Sequence, residues 1–183
     1  MKQLLLLIAL LGMVSCTCFR SSPPVNEIKS PEVTSPKINS DTFIEIKMEG
    51  GGFYGGANPV TENTKLIKSD GTVVIRNKQM YTGSKESTFS IPRVQVEELA
   101  KLIYDNGFFS MKILYDCDKS NRSCQDRKIK YPPAVPLKID VTIGQVRKQV
   151  TVTVFEKGMV DYPDEFALIA NRIDELTNRE KLK

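Results

Sequence analysis

Between Gly50 and Gly56 the chain places five of its eleven glycines, with Phe53 and Tyr54 held among them. The full run is Gly50-Gly51-Gly52-Phe53-Tyr54-Gly55-Gly56-Ala57-Asn58-Pro59. Glycine reaches positive φ and close backbone approach without steric cost, so this run does not belong inside a regular strand or helix. Immediately before it, Ile44, Ile46 and Met48 alternate with Glu45, Lys47 and Glu49, the period-two pattern of a half-buried strand. The run therefore ends a strand and begins a loop. A plain turn needs one or two glycines and no aromatic pair. A ligand pocket needs converging polar groups, and only Asn58 and Glu62 are at hand. A recognition loop uses the glycines for close backbone approach and the aromatics as anchors, and it accounts for most of the composition.

The remainder of the domain reads around that loop. Thr64–Ser69 and Thr72–Arg76 flank Asp70-Gly71, a strong hairpin signal. Asn77–Glu86 is polar and reads as a connection, followed by a short strand at Ser87–Ile91. Pro92 opens a helix whose apolar stripe is Val96, Leu99, Ala100 and Ile103, with Gly107 placed to end it. Phe108, Phe109, Met111, Ile113 and Leu114 are expected to pack under this helix. Tyr115–Pro136 reads as a long loop. Leu137, Ile139, Val141 and Ile143 form a strand, and Gly144-Gln145 turns it into a second through Val150, Val152 and Val154. Asp161 and Pro163 start a last helix with Phe166, Ile169, Ala170, Ile173 and Leu176 inward. The expected fold is α+β, an antiparallel sheet of five or six strands with two helices on one face.

Not all 183 residues belong to that fold. Lys2 precedes an apolar run, Leu4–Val14, that is too short to span a bilayer and reads as a secretory signal over residues 1–15. Leu10-Leu11-Gly12-Met13-Val14-Ser15-Cys16 resembles a bacterial lipoprotein signal, with Cys16 the lipidated first residue; ordinary cleavage nearby is the alternative. Thr17, rather than Asp, follows Cys16, which favours an outer-membrane or cell-surface position. Residues 16–40 are rich in Ser, Pro and Thr, without apolar period, and form a tether. Residues 41–183 make one domain of ordinary size. Cys117 and Cys124 bracket a polar stretch of an exported chain, so a disulfide is expected; a zinc site would need two further ligands nearby.

Composition excludes much chemistry. There is no histidine, which removes Ser-His-Asp and Cys-His catalysis and the common zinc sets. The net charge is +4, of which Lys2 in the leader supplies one, too little for a nucleic-acid footprint. No phosphate loop is present, and no helix follows the glycines to make a dinucleotide site. Carboxylates cluster at Glu97-Glu98 and at Asp161, Asp164 and Glu165, but at expected helix starts, where they favour the macrodipole. The reading is of a protein with no catalytic residue, no metal and no cofactor, a monomer when free.

Phe43-Ile-Glu-Ile-Lys-Met-Glu-Gly-Gly-Gly-Phe53, followed by a strand pair, a helix before Gly107-Phe-Phe and another strand pair, resembles the emfourin type of proteinaceous inhibitor. The lipoprotein leader and spacer resemble the potempins, surface lipoprotein inhibitors. The resemblance implies inhibition of a secreted or surface protease, with thermolysin-like metallopeptidases favoured, and carries over Gly50, Gly51, Gly52 and Phe53 as matching positions. With Tyr54, Gly55, Gly56 and Asn58 these form the expected partner surface. Glu49, a loop carbonyl or Asn58 would be the group offered to the protease's zinc. The chain departs from the family in extra length at Asn77–Glu86 and Tyr115–Pro136 and in its C-terminal helix. The competing reading is a non-inhibitory surface module that holds a peptide, glycan or partner subunit.

Overall fold

The computed structural model describes residues 38–39, 41–51, 59–130 and 133–178. The first strand of the chain, β1 (Ile44–Glu49), lies in the middle of the sheet. On one side it pairs with β2 (Val60–Lys68), which continues into β3 (Thr72–Gln79) and β4 (Gly83–Ser90). On the other it pairs with β6 (Leu137–Ile143), which turns into β7 (Val146–Val152). A two-residue strand, β5 (Leu114–Tyr115), adds to β7 in parallel. The order is β4-β3-β2-β1-β6-β7-β5, an α+β fold with a mixed seven-stranded sheet. The expected all-antiparallel arrangement of five or six strands is corrected by β5, too short to carry any period, which adds a seventh strand in parallel.

Alternation on β1 sets the layers. Ile44 and Ile46 are fully buried and Met48 nearly so, opposite Ile143, Val141 and Ile139 of β6. Ile46 also faces Ile67 on β2. This face is covered by α1 (Arg93–Asp105) and α3 (Asp164–Thr177), whose buried residues include all nine stripe positions expected from their spacing. Glu45, Lys47 and Glu49 point to the other face, which carries a mixed set of charges. Burial of the apolar stripes is what stabilises each helix, since helices of this length are marginal alone.

The ends of the elements follow local chemistry. Pro92 and Pro163 sit at the N-caps, one residue outside the helices. Gly107 takes φ 64 just past α1, and its N–H reaches the Tyr104 carbonyl. The β2–β3 turn runs through Ser69, Asp70 and Gly71, and Ser69 Oγ donates to the Ile44 carbonyl at 2.8 Å, tying the turn to the start of β1. Arg93 extends this tie: its guanidinium donates to Ser69 O at 2.8 Å, Asn39 O at 3.1 Å and Glu97 Oε1 at 2.9 Å.

Three sequence expectations are corrected. Asn77–Glu86 is not a connection: β3 and β4 run through it in register from Thr72↔Ser90 to Gln79↔Gly83. The Tyr115–Pro136 stretch contains a helix, α2 (Arg122–Ile129), capped by Asn121, whose side chain accepts from the Cys124 N–H at 3.1 Å. Cys117 and Cys124 are joined as a disulfide at its first turn, with Cα atoms 5.6 Å apart. Finally, Ile113 and Leu114 do not pack under α1. They are 70% and 50% exposed, because pairing with β7 turns Tyr115 inward instead. No helix among the described residues is long and apolar enough to cross a membrane.

Candidate recognition surface

The loop leaves β1 through two left-handed residues in succession, Gly50 at φ 81 and Gly51 at φ 73. The Gly50 N–H still donates to Asn63 O of β2 at 3.0 Å, so the departure is anchored to the ladder. Space as well as conformation demands glycine at this point. A Cβ on Gly50 would stand 2.0 Å from the Pro136 carbonyl oxygen and 3.2 Å from Val135 Cγ1. One on Gly51 would stand 3.0 Å from Leu137 Cδ1. The start of the loop is thus pressed against the segment that leads into β6.

The return is equally fixed. Pro59 is buried, and its carbonyl accepts from the Met80 N–H at 3.0 Å, joining it to the β3–β4 turn. A bulge between Val60 and Glu62 then brings β2 into register with β3. Of the eight partner residues expected, Gly50 and Gly51 are placed here. Gly52, Phe53, Tyr54, Gly55, Gly56 and Asn58 lie outside the described residues, as does Cys16.

Beneath the loop base is an open groove of about 230 Å³, lined by Glu49, Glu62, Asn63, Val135, Pro136 and Lys138 among others. Glu49 forms an ion pair with Lys47 on the same strand and lies opposite Lys138 across the ladder. The groove offers both signs of charge and no converged carboxylate pair. Among the described residues no three His, Cys, Asp or Glu side chains group as metal ligands.

The carboxylates singled out in sequence lie elsewhere. Glu97 and Glu98 are one turn inside α1 rather than at its start; Glu97 is held by Arg93, and Glu98 Oε2 is 4.0 Å from the Arg172 guanidinium. Asp164 and Glu165 do occupy the first turn of α3. The perturbed carboxylates serve structure. Asp116 is held below the usual carboxylate range first by the Lys128 ammonium, then by the Thr153 hydroxyl and the Cys117 N–H. Asp118 and Asp70 are lowered chiefly by hydrogen bonds from Ser120 and Thr72.

Sequence reasoning missed the β3–β4 turn as a neighbour of the loop. Met80 is 56% and Tyr81 73% exposed at its tip. The signal was present in Met80-Tyr81-Thr82-Gly83, two large residues before a glycine. No protein-family model matches the chain, and no curated protein sequence matches it.

Proposed function

We propose that this protein is a surface-anchored lipoprotein that inhibits a secreted protease, a thermolysin-like metallopeptidase in first place, by presenting the Gly50–Pro59 loop to the active-site cleft. The observation that supports this reading is the pair of left-handed glycines at the end of the central strand, wedged against Val135–Leu137. Both ends of the loop are held in the sheet, at Gly50 and at Pro59, and fixed ends reduce the ordering that binding has to supply. The resemblance of Phe43–Phe53 to emfourin-type inhibitors gives the target class, and the leader and tether give the membrane position.

The test is titration of the tether-plus-domain chain into thermolysin, subtilisin and trypsin. Stoichiometric inhibition of thermolysin is expected. The double substitution Phe53→Ala/Tyr54→Ala should weaken it by about a hundredfold or more, in keeping with the loss of two aromatic anchors, while leaving the melting temperature unchanged. Absence of inhibition across the panel would replace this reading by the non-inhibitory module.

A further inference from the structure

The ribbon formed by the distal halves of β3 and β4 buries almost nothing. Arg76, Asn77 and Lys78 are exposed, as is every residue from Met80 to Glu86. It is nevertheless a regular ladder, with Arg76↔Glu86, Asn77↔Lys85 and Lys78↔Ser84 in register. Arg76 and Glu86 are joined by two hydrogen bonds, at 3.0 and 2.7 Å. Gly83 at φ 81 closes the turn, with nothing within 4 Å of the position a Cβ would take. β2 pairs along the other side of β3 as far as Val60↔Gln79, so this segment is ordered by a three-stranded ladder rather than by burial. At the tip of this ribbon stand the two side chains least suited to water, Met80 and Tyr81. The same turn holds the return of the glycine loop through the Met80 N–H and the Pro59 carbonyl.

We propose that Met80 and Tyr81 are a second anchor for the same partner protein, entering an apolar pocket beside the cleft that receives the glycine loop. The inference rests on the inhibitory reading for the identity of the partner, and on the ribbon for its own geometry. The loop's two ends and the β3–β4 turn lie at the same end of the sheet, and Pro59 is fastened to Met80 at 3.0 Å, so a partner that reaches the return of the loop lies beside Met80. Tyrosine brings a large, amphipathic surface with only two side-chain torsions to fix, which is why it recurs at the energetic centres of interfaces. The flanking Arg76, Lys78 and Lys85, with Glu86, form a charged rim around an apolar tip, the usual anatomy of a contact site.

The experiment compares the unaltered chain, Met80→Ser/Tyr81→Ser, Tyr81→Phe and Phe53→Ala/Tyr54→Ala as inhibitors of thermolysin. Each variant is first checked for an unchanged melting temperature, and inhibition is compared only among variants that pass. The Met80/Tyr81 double variant is expected to raise the inhibition constant roughly thirtyfold. Tyr81→Phe should stay within about threefold, since the ring supplies the contact. An unchanged constant for the Met80/Tyr81 variant, alongside lost inhibition for the Phe53/Tyr54 variant, overturns the second anchor and leaves the inhibitor standing. No inhibition by the unaltered chain overturns both.

Discussion

Gly50 and Gly83 share a φ of 81 but differ in what surrounds them. A side chain at Gly83 would meet open space, so Gly83→Ala should cost only the left-handed penalty, about 1 kcal/mol. Gly50→Ala adds a collision with the Pro136 carbonyl and should cost about 2–3 kcal/mol, because backbone on one side must move. Urea unfolding of the two variants checks the difference; equal losses would mean that the Pro136 contact does not select glycine. In the sequence the five glycines are indistinguishable by type. The strand pattern ending at Glu49 places the loop, but the contact that singles out Gly50 is with a residue far along the chain. Local reading therefore located the candidate site without revealing what holds it.

Elements were legible where one face is buried and illegible where none is. The stripes of α1 and α3 and the alternation of β1, β6 and β7 follow directly from a single core face. The distal halves of β3 and β4 are wet on both faces, so nothing in their composition alternates, and Asn77–Glu86 read as a connection. α2 was hidden for a related reason: Cys124 is its one buried residue, and it lacks an apolar stripe. Its order comes instead from the Asn121 cap, the disulfide and the Ala134 N–H bond to the Arg127 carbonyl at 2.9 Å. Replacing both Cys117 and Cys124 by serine should lower stability by about 2 kcal/mol, the value for so short a closed loop. A lowered urea midpoint checks it, and an unaltered midpoint would assign the order of α2 to its cap and the Ala134 bond.

For the whole molecule, the titrating groups leave one clear dependence on pH. The chain has no histidine, the side chain whose ordinary value lies in the physiological range. Asp70, Asp116 and Asp118 are all held below the ordinary carboxylate value in the folded protein. The unfolded chain therefore binds more protons in the acid range. Their contribution is fully present above about pH 4 and is lost as pH falls through the folded values. Thermal unfolding from pH 2 to 7 should show this acid limb, flatter in Asp116→Asn; an unchanged limb in that variant would remove Asp116 from the account. The central position of β1 has a different consequence, in time rather than in energy. Its partner on one side follows at once in the chain, while Ile46 lies opposite Val141 on the other. Without Leu137–Ile143, β1 is the edge of a four-stranded meander, its backbone unpaired on the side that β6 takes. Such edges are slow to close and prone to join other chains. A chain cut short before β6 should therefore aggregate more readily than the whole domain, through the open edge of β1, which sedimentation of the two chains at equal concentration checks.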